Sequence, residues 1–192
     1  MKKLESSLTN MVVVLVAVAL VMGGILAYIN ELTKGKIEAQ AEKNLADGIT
    51  TVMGGGKLSV TSNDTIKQII DGKEAAFVVH KVANNGQPLG AAVESTTQGF
   101  GGDLKVLVGF SPEGKILGYT ILASTETPGL GAKADKWFQK DGKGSVIGKS
   151  PSEKPLTVSK DGGDIDAITA STITSRAFLN AINHAYTAYV KK

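Results

Sequence analysis

The feature that most constrains the fold is an unbroken apolar run near the N-terminus. The nineteen residues from Met11 to Ile29 include no charged side chain. As an α-helix such a run is about 28 Å long, which matches the hydrocarbon core of a bilayer. It is also far too long for an ordinary β-strand. The run therefore predicts a single transmembrane helix, and we assign residues 1–30 to an N-terminal membrane anchor.

A cleaved signal peptide is the competing interpretation of this run. Lys2 and Lys3 would form its basic start, but the apolar core is longer than signal peptides usually carry. The small-x-small pattern Ala39-Gln40-Ala41 is separated from the run by charged residues, so a retained anchor is favoured. Because lysines flank the run on both sides, charge alone leaves the orientation of the anchor open.

Composition excludes several kinds of metal and redox centre. The 192 residues include no cysteine and two histidines, which rules out disulfides, iron–sulfur ligation and thiolate zinc sites. With 21 basic and 18 acidic residues and no basic block, the charge gives no support for nucleic-acid binding. We therefore expect no metal site.

The remaining residues predict a helical stalk and one domain of the α+β class. Apolar residues spaced like one face of a helix predict a stalk over residues 31–56, ended by Met53 and three glycines. Residues 57–192 form the predicted domain, in which a short helix over Asp64–Ile70 is expected first. Four strands follow in two hairpins, with turns at Asn84-Asn85-Gly86 and Ser111-Pro112-Glu113-Gly114. The strands are expected at 76–82, 89–94, 103–110 and 115–124.

Consecutive hairpins predict an antiparallel sheet, and helices are expected to flank it. A helix is predicted over Ala132–Lys140 and a short strand over Leu156–Ser159. A final helix is expected to be capped by Thr174 or Ser175 and to bury one apolar side. That side consists of Phe178, Ile182, Ala185 and Tyr189.

Two polar loops are the candidates for chemistry. The first, Ser124–Gly131, can be read as an ordinary turn of proline and glycine. The second, Asp164–Ser175, has five hydroxyl side chains in its last seven positions, just before the final helix. Those hydroxyls could simply cap the helix, or they could donate to a phosphate, which the start of a helix favours. Spacing alone puts the capping interpretation ahead.

Three motifs in order resemble those of a known family. Asp166–Ser175 resembles the flavinylation motif of FMN-binding domains, whose usual form is Asp, two variable residues, Ser or Thr, Gly, Ala and Thr. Glu126–Gly131 is similar to the second hallmark of that family, and Gly99–Gly102 with the strand after it resembles the run that precedes it. Here Ala170-Ser171 stands where Gly-Ala is usual, and Ser124-Thr125 replaces a basic pair.

Behind a single anchor, this order of motifs resembles the G subunits of Rnf-type electron-transport complexes. Their cousins are the C subunits of sodium-translocating NADH:quinone oxidoreductases, which are usually longer. The resemblance implies FMN bound covalently through a phosphoester to Thr172. It also implies a cofactor site made by Glu126, Thr127, Gly129, Leu130, Gly131, Lys133, Thr169, Ser171 and Thr174. Within that set Lys133 is as readily read as a solvated lysine.

The function that the resemblance implies is electron transfer within a membrane complex. Such complexes couple electron flow between ferredoxin and NAD to Na⁺ or H⁺ translocation, and this chain would not catalyse the overall reaction alone. The implied partners are the other membrane and peripheral subunits of the complex and a flavin transferase that uses FAD and Mg²⁺. That transferase acts outside the cytoplasm, which would place the domain on the extracytoplasmic side of a bacterial or archaeal cytoplasmic membrane. The alternatives are a subunit of the quinone-reducing cousin, or a non-redox membrane-anchored assembly module without flavin.

Overall fold

A computed structural model describes most of the chain, in two compact units. The first unit ends at Lys43 and the second begins at Asn44. The described residues are 7–56, 58–70, 72–152 and 154–191. Lys2 and Lys3, which entered the signal-peptide interpretation, lie outside them.

The first unit consists of most of helix α1, Leu8–Val52, which is 45 residues long. Its most apolar stretch has a mean hydropathy of 2.8, and none of that stretch is buried against protein. Among the residues that the structure describes, α1 is the one helix long and apolar enough to cross a membrane, although a signal sequence meets the same criterion. The exposed valines and leucines fit a single-pass membrane anchor, because a bilayer would remove them from water.

The second unit is built on a five-stranded antiparallel sheet in the order β1-β2-β3-β4-β5. Each strand pairs with the next along the chain. The strands are β1 Leu58–Ile70, β2 Lys73–Asn84, β3 Gln87–Gln98, β4 Asp103–Phe110 and β5 Ile116–Ser124. Both predicted hairpin turns are present, one between β2 and β3 and the other between β4 and β5.

Helices cover both faces of this sheet. Val93 and Val106 point to the face covered by the last helix, α3 (Thr172–Val190). Their neighbours Ala92 and Leu107 point to the opposite face, since successive residues in a strand alternate sides. There they pack against the end of α1. The predicted α+β class, an antiparallel sheet with flanking helices, is confirmed.

The helix predicted over Asp64–Ile70 is wrong, because these residues belong to β1. Their partly or fully buried positions alternate with exposed ones, which is the period of a strand rather than of a helix. Pairing with β2 runs from Ile70 opposite Lys73 to Leu58 opposite Asn84, with one register shift between Val60 and Ser62, and it satisfies one side of this edge strand. The β-branched residues Thr65, Ile66, Ile69 and Ile70 favour that outcome.

Two other predicted elements differ from the structure. Helix α2 covers Ala134–Trp137 instead of Ala132–Lys140, preceded by a 3₁₀ turn. It ends there because the carbonyls of Trp137 and Phe138 accept bonds from Gly144 and Val146 further along the chain. The strand predicted over Leu156–Ser159 is wrong: the structure has a single bridge between Val158 and Ile165, and a 3₁₀ turn begins at Ser159.

The final helix begins earlier than predicted. Ser171 is its N-cap residue and Thr172 its first residue, so neither Thr174 nor Ser175 caps it. The hydroxyl groups of those two residues have other partners, Glu126 and the carbonyl of Ser171. The apolar side is confirmed: Phe178, Ile182, Ala185 and Tyr189 are all buried.

Candidate functional site

Three loops that are distant in the sequence meet at one end of the second unit. They are the turn after β3, the loop after β5 and the segment that enters α3. Between them lies an open cavity of about 360 Å³. Its wall consists of Phe100, Glu126, Thr127, Leu130, Gly131, Ala170, Ser171, Thr172, Ile173 and Thr174.

The buried carboxylate of Glu126 connects these three loops. Its Oε1 accepts a hydrogen bond from the backbone N–H of Phe100 at 2.7 Å, and its Oε2 accepts one from the hydroxyl of Thr174 at 2.9 Å. The side chain is only 8% exposed, so both bonds form largely away from water. Glu126 thus holds the turn after β3 and the first turn of α3 together around the cavity.

Gly131 makes room for this arrangement. A Cβ atom built at Gly131 would lie 2.4 Å from Glu126 Oε2 and 2.7 Å from Thr174 Oγ1, closer than real Cβ contacts allow. Any larger residue would push the carboxylate away from the hydroxyl. The hydrogen bond between Glu126 and Thr174 therefore explains why the motif Glu126–Gly131 ends in glycine.

Thr172 lies at the start of α3, where the helix has backbone N–H groups without partners inside the helix. Its side chain is half-buried, and its Oγ1 accepts a hydrogen bond from Lys160 Nζ at 3.2 Å. The N-terminal end of a helix and an ammonium group both favour a negative charge. The hydroxyl of Thr172 is therefore placed where an attached phosphate would be stabilised.

An ion pair holds the turn that carries Lys160. Asp161, the next residue, accepts two hydrogen bonds from Arg176 of α3, at 2.6 and 2.7 Å. The hydrogen bonds from the Arg176 guanidinium lower the pKa of the Asp161 carboxyl below its usual range, and the same bonds raise the pKa of Arg176. This bidentate contact fixes the turn against α3, one turn of helix beyond Thr172.

Ala170 has a left-handed backbone conformation, with φ of 61°. Glycine adopts this region without strain, whereas alanine does so at a cost of roughly 1–2 kcal/mol. The usual glycine of the motif is therefore explained by the backbone, and this chain keeps the same conformation with alanine. The next residue, Ser171, is buried.

The structure gathers seven of the ten sequence-predicted site residues around the cavity. These seven are Glu126, Thr127, Leu130, Gly131, Ser171, Thr172 and Thr174. Gly129 and Lys133 line a neighbouring depression of about 510 Å³ beside Trp137. Thr169 lines neither of the two.

Sequence reasoning did not select Phe100, Ile173 or Lys160. Phe100 lies inside the motif Gly99–Gly102, so the sequence contained a signal for this residue, but the prediction rested on the glycines of the motif. Lys160 is twelve residues from Thr172 and belongs to the turn Ser159–Asp161, which begins at the last residue of the predicted strand. No local pattern reports a contact of that kind.

The architecture and the three convergent motifs define a flavin-binding class of domain. The family model for the FMN-binding domain matches residues 99–187, which include the whole cavity. The family model for the RnfG N-terminal region matches residues 1–52, which include α1. The two matches flank β1, β2 and β3.

Curated relatives identify the family of the chain more specifically. The G subunit of an ion-translocating oxidoreductase complex from Shewanella baltica is 33% identical, covering 87% of this chain and 82% of the relative. Its counterpart in Shewanella oneidensis is 35% identical over the same shares. The chain belongs to the family of G subunits of ion-translocating oxidoreductase complexes, and the family resemblance read from the motifs is confirmed.

A solved structure shares the fold. The C subunit of the Na⁺-translocating NADH-quinone reductase from Parabacteroides distasonis aligns with a TM-score of 0.57 at 21% identity. The alignment covers 81% of this chain and 94% of that protein. This likeness supports the architecture of helix, sheet and flanking helices.

Proposed function

We propose that this chain is an electron-carrying subunit that holds FMN covalently on Thr172 within a membrane complex. The relatives are named as subunits of an ion-translocating oxidoreductase complex, and an FMN-binding domain matches the residues around the cavity. The complex would couple ferredoxin:NAD electron transfer to Na⁺ or H⁺ translocation, with the ferredoxin and NAD sites on other subunits. This chain would pass electrons and would not perform the overall reaction alone.

The observation that carries the proposal is the position of the Thr172 hydroxyl. It lies in the wall of the cavity, at the first residue of a 19-residue helix, and it accepts a hydrogen bond from Lys160. A phosphoester at this oxygen would have a cation and the positive end of a helix dipole beside it. Its flavin could then occupy the adjoining cavity.

The residues present fit FMN on two counts. Glu126 and Gly131 leave an open cavity, and its mouth has the apolar side chains that a flavin ring system prefers. Lys160 and the N-terminal amides of α3 supply the donors that a phosphate needs. When bound, the flavin supplies the ability to accept and release electrons. The protein's residues hold it, shield it from water and fix its surroundings.

The attachment step balances as an exchange of phosphate bonds. The Thr172 oxygen forms a bond to the phosphorus of the FMN half of FAD, and the anhydride bond to the AMP half breaks. AMP leaves with the electron pair, and the hydroxyl proton must go to a base. Lys160 Nζ is the donor in its hydrogen bond to Thr172 Oγ1, so it does not accept the hydroxyl proton. We therefore assign the base and the Mg²⁺ to a separate flavin transferase.

The proposal extends to the organisation of the chain and its position in the cell. Residues 1–30 anchor it in the cytoplasmic membrane, residues 31–56 form a stalk, and residues 57–192 form the FMN-binding domain on the extracytoplasmic side. The apolar surface of α1 supports the anchor. Partners are the other membrane and peripheral subunits of the complex.

A flavin-free assembly module is the second candidate function, and Ala170 is the observation that favours it. The strained alanine in place of the usual glycine is what relaxed selection on the motif would leave. The retained hydrogen bonds of Glu126 and Lys160 argue for the flavin carrier instead. For the alternative of a quinone-reducing complex, the only support is the fold that this chain shares with the C subunit of such a complex.

Co-expression with an active flavin transferase tests the proposal. Wild-type protein should give a band with flavin fluorescence on a denaturing gel, and Thr172→Ala should give a dark band of equal protein content. Thr187→Ala, an exposed threonine of the same helix, should stay fluorescent. A dark wild-type band, while the transferase modifies a known substrate in the same cells, would overturn the carrier function.

A further inference from the structure

Three exposed apolar side chains surround the mouth of the cavity. Phe100 is 70% exposed, Ile173 is 53% exposed and Leu130 is 41% exposed, and all three line the cavity. They come from the turn after β3, the loop after β5 and the first turn of α3, so the fold brings together residues that are distant in the sequence. Exposed apolar groups that converge on one opening indicate a ligand or partner contact.

The other large exposed apolar side chains of the described second unit are spread over separate elements. Scattered single residues of that kind are ordinary on protein surfaces. They are Val60 and Ile69 of β1, Leu117 of β5 and Val190 of α3. The cavity mouth is therefore the place in this unit where the described exposed apolar groups concentrate.

The backbone of Phe100 is held rather than free. Its N–H donates to Glu126 Oε1 at 2.7 Å, and the turn around it closes with a bond from the Gly99 N–H to the Gly102 carbonyl at 2.8 Å. The turn also presses against the loop after β5, since a Cβ atom at Gly101 would lie 2.3 Å from the Thr125 carbonyl oxygen. The side chain of Phe100 is mostly exposed and lines the cavity.

We propose that Phe100 stacks on one face of the flavin ring system and covers it from solvent. This inference rests on the proposed function, because it takes the ring to lie in the cavity beside Thr172. Aromatic rings attract one another in offset-stacked and edge-to-face arrangements, beyond the gain from burying their area. Among the described residues of the cavity wall, Phe100 is the one aromatic side chain. Glu126 accepts the hydrogen bond from the Phe100 backbone N–H, so it helps to position the Phe100 side chain against the ring.

Collisional quenching measures the cover directly. Full-length protein is co-expressed with the transferase and purified in detergent, and the quenching of its covalent flavin fluorescence by iodide is recorded. Loss of stacking in Phe100→Ala should raise the quenching constant by about threefold, in keeping with the modest strength of one aromatic contact. Phe100→Leu should give a quenching constant between those of wild type and Phe100→Ala. The control is Ile69→Ala, which removes an exposed apolar side chain from β1.

The outcomes separate this inference from the proposed function. A fluorescent wild-type gel band with equal quenching constants in Phe100→Ala, Ile69→Ala and wild type would overturn the stacking role and leave the carrier function standing. If the quenching constants are equal and the purified Phe100→Ala complex has also lost other subunits, the stacking role is overturned and Phe100 is a contact with a partner subunit. A dark wild-type band would overturn both proposals together.

Discussion

The hydroxyl of Thr174 donates to Oε2 of Glu126 across 2.9 Å, although 48 residues separate them in the chain. The same carboxylate accepts from the backbone N–H of Phe100 through its other oxygen. One side chain therefore joins the three motif-bearing loops. The fold therefore gives Glu126 a structural role of its own, besides any contact with a cofactor.

Glu126→Ala should destabilise the domain and shift the reduction potential of the flavin, which should stay covalently attached. The substitution leaves the buried hydroxyl of Thr174 and the backbone N–H of Phe100 without their acceptor, a loss of about 1–3 kcal/mol. Thermal unfolding of the flavin-free protein in detergent should show a lower midpoint, and the flavin-loaded variant should show a shifted reduction potential. Glu113→Ala, at an exposed turn, should do neither. An unchanged midpoint and potential in Glu126→Ala would refute the connecting role.

Ala170→Gly should stabilise the protein slightly, by up to about 1 kcal/mol. Glycine removes the strain of a left-handed alanine but gains more freedom in the unfolded chain, so the two effects partly cancel. Ala167→Gly, three residues earlier and without positive φ, should destabilise instead. Thermal midpoints measured side by side check the opposite signs. A fall in both variants would show that position 170 carries no strain.

Lys160→Gln should slow flavin attachment to Thr172 by about three- to tenfold, because an exposed cation contributes modestly to holding a phosphate. Initial rates of flavin incorporation by purified transferase measure the effect. Lys160→Arg should recover part of the rate. Lys154→Gln is the matched control, since Lys154 reaches the Gly162 carbonyl rather than Thr172. Equal rates for Lys160→Gln and Lys154→Gln would remove Lys160 from the site.

Glu94 should make stability depend on pH. Burial raises the pKa of its carboxyl, but hydrogen bonds from His80 at 2.8 Å and Lys105 at 2.6 Å outweigh burial, and the net pKa is lowered. A lowered folded-state pKa gives stability that is present above the ordinary carboxyl pKa of about 4.3 and is lost as pH falls through the folded value.

Glu94→Gln should therefore cost about 1–3 kcal/mol at pH 7 and lose less than wild type on acidification. The measurement is the unfolding midpoint from pH 7 downward. Glu74→Gln breaks an exposed pair with Lys67 and should change little. A wild-type acid profile in Glu94→Gln would contradict the assigned network.

Much of the fold could be predicted because its signals are local. The apolar run, the hairpin turns and the buried side of the last helix each depend on a few neighbouring residues. The error over Asp64–Ile70 arose because its isoleucines suit helical spacing, while pairing with β2 decides the outcome. Ser175 was proposed as a cap, but its hydroxyl bonds instead to the Ser171 carbonyl, which no sequence pattern reveals.

The candidate site divides in the same way. Thr172 and Glu126 could be predicted from the sequence, because each has a defined position within a motif that resembles one of the family. The hydrogen bond from Lys160 and the exposure of Phe100 depend on loops packed in three dimensions, so they became visible only in the structure. Lys133 and Gly129 are close to the motif in sequence, yet they line the neighbouring depression.

The most direct test of the central claim is tandem mass spectrometry of the protein co-expressed with an active flavin transferase. We predict that the peptide containing Thr172 gains the mass of FMN less one water, and that fragmentation places the added group on Thr172. An unmodified peptide, or an added group on Thr169, Ser171 or Thr174 instead, would contradict the account.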